Sequence, residues 1–161
     1  MNTETSDLEV QLVAKIRKSF SGKFPRPERV TNYRKNDPED YDGEAQSVED
    51  FYESSSWETI NLNNVGGYLI TYLNTEALLH YLPAFLIKIL CDHRPHTDFT
   101  ERFFRVFGDL EYWGMNKPKL VAALSREQQL LIHDVCTEVR VRTQYYYTEY
   151  QLISQMFGTR C

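Results

Sequence analysis

A chain of 161 residues with 42% hydrophobic and 14% aromatic residues can form one globular domain, and it is too rich in aromatic residues for a disordered protein. Its formal net charge of -5 argues against nucleic-acid binding and against adhesion to an anionic membrane, since both need a basic face. Three cysteines, an odd number at low density, favour free thiols in a reducing compartment and therefore a cytoplasmic location.

The first third of the chain is expected to contain one long helix, a polar loop and one short helix. Ser6 or Asp7 starts the first helix, and Ser21-Gly22 ends it. Residues 28–47 form a polar loop whose acidic cluster lacks the ligand spacing of a calcium-binding loop. Ser47 is the expected start of the short helix. The polar, acidic N-terminal segment does not have the pattern of a secretory signal.

The most apolar stretch, Asn74 to Cys91, predicts the central helix of the fold. Residues 62–73 before it read as helical with a break at the Gly-Gly pair, although their second half is also compatible with a strand. Asn74 or Thr75 can cap the central helix, which is shorter than the ~20 apolar residues of a membrane span. A helix that is apolar on nearly every face is expected in the core of the domain.

Pro83 lies in the middle of this helix and predicts a kink, because proline cannot donate a backbone hydrogen bond. The functional interpretation is a ligand pocket beside the kink, formed by His80, Tyr81, Pro83 and Trp57. The alternative, which kinked helices generally favour, is a bend that only fits the neighbouring helices.

The second half of the chain is also expected to be helical. Asp98 or Thr100 opens a Phe-rich helix, residues 116–119 form a loop, and Ser125 with Gln128 predicts a capping box. The last run of regularly spaced apolar residues, from Leu131 to Phe157, forms one helix to about Met156 or two helices broken near Thr143. The predicted fold is therefore mostly α: a single-domain bundle, residues 1–161, of about five to seven helices around the proline-kinked core helix.

Cysteine and histidine residues form one candidate metal site. Zinc is held by cysteine and histidine side chains in a tetrahedron. His133 and Cys136 are three residues apart on one predicted helix, so their side chains share a face. The candidate ligands are Cys91, His93, His96, His133 and Cys136. The alternative is that both thiols are small buried side chains and the histidines lie on the surface. The pair His133-Asp134 resembles part of a helical metal-dependent phosphohydrolase site, but no Asp follows it as that site requires.

Four tyrosines near the C-terminus form a candidate binding surface: Tyr145, Tyr146, Tyr147 and Tyr150. At most two of them can face the core together, so one or two should be exposed. Exposed tyrosine is enriched in binding surfaces. The alternative is a helix packed on both sides, including across a homodimer.

Two stretches carry a resemblance to a known family. Trp57 precedes an apolar segment, and residues 72–77 lead into a helix that contains Tyr81-Leu82-Pro83-Ala84. This pattern, with residues 124–129, resembles a family of small, mostly bacterial helical domains of unknown function. The resemblance covers about residues 19–137 and implies no catalytic residues. Small acidic proteins of this general kind also resemble immunity proteins, which bind and block a toxin.

The sequence favours a non-catalytic interaction protein that binds a partner, of inhibitor or immunity type, through an acidic and Tyr-rich surface. The partner is expected to be a protein with basic character, and no cofactor is expected. The alternative is a small metal-dependent hydrolase or a zinc-stabilised domain that uses the cysteine and histidine residues named above.

Overall fold

The structure is a computed structural model that describes residues 6–94 and 96–158, and within these ranges every regular element is a helix. The mostly α fold is therefore confirmed. The described ranges contain eight helices, where five to seven were predicted: α1 Asp7–Phe20, α2 Glu44–Tyr52, α3 Tyr68–Thr71, α4 Thr75–Cys91, α5 Asp98–Gly108, α6 Lys117–Ala123, α7 Arg126–Thr143 and α8 Tyr147–Phe157.

Three helices begin where the sequence predicts a side-chain cap. Ser6 caps α1, and Asn74 caps α4 by accepting a hydrogen bond from the Ala77 N–H at 2.8 Å. At α7, Ser125 accepts from the backbone of Gln128 while the Gln128 side chain accepts from the backbone of Ser125. This is the predicted capping box, and it satisfies two otherwise unpaired donors.

Three predictions about element boundaries are wrong. Helix α2 begins at Glu44, not at Ser47, after Gly43 in the left-handed conformation with φ +73°. Residues 116–119 are not a loop, because Asn116 caps α6 and Pro118 lies in its first turn. Proline is tolerated there, since the first N–H groups of a helix have no partner within it. Residues 62–73 supply only the four-residue α3.

Of the two alternatives for the C-terminal part of the chain, the structure has the break near Thr143, which separates α7 from α8. Gln144 ends α7 with φ +61°, and Tyr146 precedes α8 with φ +67°. Left-handed backbone is uncommon in residues other than glycine, so two such residues around Tyr145 turn the chain sharply. The turn lets α8 pack on both α7 and α5.

Helix α4 is the centre of the fold and continues through Pro83. It is buried along most of its length and contacts α1, α5, α6 and α7. Leu82, Phe85 and Leu86 are fully buried. None of the described helices has the length and apolar character needed to cross a membrane.

The polar segment between α1 and α2 is tied to this core. Arg26 donates to the Tyr52 carbonyl at 2.9 Å and to the Tyr81 hydroxyl at 3.0 Å. The Glu49 carboxylate accepts from the Thr31 N–H at 2.9 Å, and Thr31 forms an isolated β-bridge with Leu73. These contacts hold residues 30–33 against the segment that leads into α4.

Candidate functional site

The residues expected to form a pocket at Pro83 are packed against loops. His80 is only 6% exposed, and its Nδ1 lies 2.6 Å from the Phe24 carbonyl. Its Nε2 accepts from the Trp57 N–H at 3.3 Å, while the buried Tyr81 donates to the Ser55 carbonyl at 2.8 Å. These contacts join the loop that contains Phe24 and the loop that contains Ser55 and Trp57 to α4. The cavity in this region starts one turn further along the helix, where Ala84 lines it with Trp57.

The candidate zinc ligands do not come together in one group: Cys91 and His93 both lie near Glu9, and the others lie elsewhere. His93 contacts the buried Glu9 at 3.1 Å, and His96 contacts Glu101 at 3.1 Å. Cys136 is fully buried among apolar residues. Residues 6–94 and 96–158 contain no group of three or more His, Cys, Asp or Glu side chains placed to hold a metal ion.

His133 lies between α7 and α8 in a small polar cluster. Its Nε2 is 3.0 Å from the Ser154 hydroxyl and 3.4 Å from the Tyr150 hydroxyl, and its Nδ1 is 3.7 Å from Asp134. The order Ser–His–Asp has the residue types of a hydrolase triad, but the distance to Asp134 is too long for the hydrogen bond that orients the imidazole. The cluster therefore acts as a polar contact that joins the two helices.

The two cysteines within the described residues, Cys91 and Cys136, are expected to react differently with an alkylating reagent. Burial raises the pKa of Cys136. Cys91 is surface-exposed, but partial loss of hydration together with the nearby Glu9 carboxylate raises its pKa, so neither thiol is an activated nucleophile. With iodoacetamide at pH 8, we expect slow labelling of the exposed Cys91, faster labelling as the pH rises, and no labelling of Cys136 in folded protein. Peptide mass spectrometry after quenching measures the extent of labelling at each of the two cysteines. Labelling of Cys136 at the rate of the unfolded chain would contradict its burial. Cys161 lies outside the described residues.

The four C-terminal tyrosines divide into two packed rings and two exposed ones. Tyr146 stacks on Phe104 with ring centroids 4.6 Å apart, and its partial burial raises its pKa to about 12. Tyr150 contacts His133. Tyr145 and Tyr147 are 52% and 58% exposed, so they are the members available to a partner.

A larger aromatic surface lies elsewhere, in a groove that the sequence did not suggest. We call it the acidic-aromatic groove; it has a volume of about 540 Å³ and is formed by three distant segments of the chain. It is lined by Asn32, Tyr33, Asp37, Glu39, Thr71, Tyr72, Leu73, Tyr112, Trp113 and Gly114. The size is within the ~300–1,000 Å³ of ligand-binding clefts.

Both ionisable side chains that line the groove, apart from its tyrosines, are acidic: Asp37 and Glu39. Hydrogen bonds from the backbone N–H groups of Glu39 and Arg34 hold the pKa of Asp37 below its ordinary value. The Arg34 side chain lies 3.9 Å from Asp37 but is largely exposed, so solvent screens its charge. The groove therefore carries negative charge at neutral pH.

A further carboxylate, that of Glu44, holds one tyrosine of the groove in place. The Tyr72 hydroxyl donates to Glu44 at 2.5 Å, and this hydrogen bond, with partial burial, raises the pKa of Tyr72 above its ordinary value. Tyr72 also packs against Tyr33, with ring centroids 6.2 Å apart. Two aromatic rings are thus held beside a negative surface.

The turn that follows α5 contributes the most exposed aromatic ring of the groove. Tyr112 is 74% exposed and packs edge-on against Trp113, with centroids 5.1 Å apart. The Arg102 guanidinium lies 5.3 Å from the Trp113 ring centre, a cation–π contact.

The same turn separates the groove from a second one between α5 and α8. Tyr112 and Trp113 line both, and the second groove, of about 330 Å³, continues to Glu149 and Leu152. Leu152 is 43% exposed and follows Tyr147 on α8. The acidic-aromatic groove and the groove between α5 and α8 therefore meet at Tyr112 and Trp113.

The sequence gives only indirect indications of the acidic-aromatic groove. Tyr33, Tyr72 and Tyr112 each stand next to polar or turn-forming residues, where large aromatic rings are often exposed. A scan against protein-family models, a search of curated proteins and a search of solved structures each found no match for this chain. The resemblance over residues 19–137 therefore stays an expectation.

Proposed function

We propose that this protein is a non-catalytic binding protein that docks a basic protein partner in the acidic-aromatic groove. The observation that carries the proposal is the combination of Tyr33, Tyr72, Tyr112 and Trp113 with Asp37 and Glu39 in one groove. Aromatic rings bury large area at low entropy cost and attract cations, while carboxylates select a positively charged partner.

The shape of the surface supports a protein partner over a small cation. The groove continues across Tyr112 and Trp113 into the α5–α8 groove, so an extended segment can contact both. Exposed Tyr145 and Tyr147 offer additional contact area. An inhibitor that covers a basic functional surface of its partner is the class of interaction protein this arrangement suits.

A defined peptide tests the chemistry of the groove. We expect a short peptide of alternating arginine and glycine to bind, and the same peptide with citrulline, the neutral isostere of arginine, to bind at least about tenfold more weakly. Tyr112→Ala and Glu39→Lys should each weaken the arginine peptide by about tenfold or more, and binding should fall as salt rises. Isothermal titration calorimetry measures all of these affinities.

The matched control is Asp134→Lys, which makes the same charge reversal at an exposed position in the middle of α7. It should retain most of the affinity, because Asp134 does not line the groove. Equal binding of the citrulline peptide, or equal losses in Asp134→Lys and Glu39→Lys, would contradict a specific acidic-aromatic site and leave only the effect of net charge.

A further inference from the structure

The cavity beside the second half of α4 has the size of a small-molecule site. Its volume is about 600 Å³, and its walls are α4, Arg17 of α1 and the segment from Trp57 to Asn64. Ala84, Ile87, Lys88 and Cys91 line it at the three- and four-residue spacing of one helix face. This site shares no lining residue with the acidic-aromatic groove.

The walls of this cavity are held by buried contacts. The His80 imidazole accepts a hydrogen bond from the Trp57 N–H and donates one to the Phe24 carbonyl. The loop that carries Trp57 is therefore fixed to α4. Trp57 is only 8% exposed. A wall fixed in this way is pre-organised, which lowers the entropy cost of binding a ligand.

The charge of the cavity is opposite to that of the whole chain. Its lining contains the cations Arg17, Lys88 and Arg94 against the anions Glu58 and Asp92, a balance of 3 − 2 = +1, whereas the chain carries -5. Asp92 is shared, because it accepts from Arg94 at 2.7 Å and lies 3.8 Å from the Lys88 Nζ. Arg17 is exposed and forms no ion pair within the described part of the chain, so an anionic ligand can pair with it.

The partial negative charge at the C-terminal end of α4 does not cancel the positive charge of the cavity lining. The carbonyls of Ile89, Leu90 and Asp92 all accept hydrogen bonds from the Arg142 guanidinium. Their partial negative charge is therefore compensated by Arg142, which does not itself line the cavity. The apolar part of the wall is supplied by Trp57, Ile60 and Ile87.

We infer that this cavity binds a small molecule with one anionic group, a carboxylate or a phosphate, on an apolar or aromatic body. Arg17 receives the anion, because its guanidinium presents paired N–H donors that match either group. Trp57 and Ile87 pack against the apolar body. Lys88 and Arg94 remain paired with Asp92 and add positive potential at the same end.

Three probes of matched aromatic shape test the inference: 4-phenylbutyrate, phenyl phosphate and the neutral 4-phenylbutanamide. Each is titrated to about 10 mM, because fragments of this size bind near millimolar Kd. The readout is the indole N–H signal of Trp57 in ¹H–¹⁵N spectra, assigned with Trp113→Phe, since the sequence contains two tryptophans. We expect at least one anionic probe to shift this signal saturably, and the stronger of the two identifies the anion class.

Variants separate the site from general charge effects. Arg17→Gln should weaken the anionic probe about tenfold, whereas Lys18→Gln, which removes the next cation of α1 from outside the cavity lining, should leave its Kd within about twofold. Ala84→Met fills the cavity with a flexible side chain and should also abolish the shift. Binding of the neutral amide as tightly as the acid, an unchanged Kd in Arg17→Gln, or no Trp57 shift with either anion overturns the inference.

Discussion

Replacing His80 by alanine is expected to destabilise the protein by about 3–5 kcal/mol. The imidazole bonds the Phe24 carbonyl at 2.6 Å and the Trp57 N–H at 3.3 Å, and it is buried. Alanine removes both partners at once and leaves a void, while each unsatisfied buried group costs about 1–3 kcal/mol. Urea unfolding followed by circular dichroism measures the loss against wild type.

Two conservative variants separate the two hydrogen bonds of His80. Because Nδ1 contacts a carbonyl, it must carry the proton, and Nε2 then accepts from Trp57. The amide of His80→Asn can replace the Nδ1–H donor, and the carbonyl of His80→Gln can replace the Nε2 acceptor. Each is expected to recover part of the stability lost in the alanine variant. Wild-type stability of His80→Ala would contradict this role.

Replacing Arg142 by methionine is expected to cost about 3–5 kcal/mol. The guanidinium donates to the carbonyls of Leu90, Ile89 and Asp92 at 2.7, 3.0 and 3.0 Å, which closes the C-terminal end of α4. It also lies 3.9 Å from the carboxylate of Glu9, which is 3% exposed. Methionine preserves the length of the side chain but leaves the carbonyls unpaired and the buried carboxylate with less compensation.

A double-mutant cycle isolates the electrostatic part of this effect. Glu9→Gln removes the buried charge, so Arg142→Met should cost less in the Glu9→Gln background than in wild type. Arg142→Lys should be intermediate, because a lysine keeps the charge but cannot bond three carbonyls with one planar fork. Equal costs of Arg142→Met in both backgrounds would contradict coupling between Arg142 and Glu9.

Local patterns in the sequence were sufficient for the central helices. The caps at Ser6, Asn74 and Ser125 each depend on contacts within three residues, so the sequence alone predicts them. Helix α6 was missed because Pro118 reads as a helix breaker, although a proline in the first turn is compatible with helix formation. The start of α2 was missed because Gly43 offers no side chain as a cap.

The candidate binding surface could not be predicted because its parts are far apart in the chain. Tyr33, Tyr72 and Tyr112 meet only after the polar segment pairs with Leu73 and after the turn that follows α5 folds back. The C-terminal tyrosines are close together in the sequence, yet Tyr146 and Tyr150 are partly packed against the core. The separation of the cysteine and histidine residues likewise depends on tertiary contacts that helical spacing does not encode.

The measurement that tests the proposed function most directly is purification of the tagged protein from its own cells at moderate salt, with mass spectrometry of the bound proteins. Wild type is compared with the Glu39→Lys/Tyr112→Ala double variant and with Asp134→Lys. We predict one stoichiometric basic partner that is retained by wild type and Asp134→Lys and lost from the double variant. A monomer or homodimer without a partner, or a partner that the double variant still holds, would contradict binding through the acidic-aromatic groove.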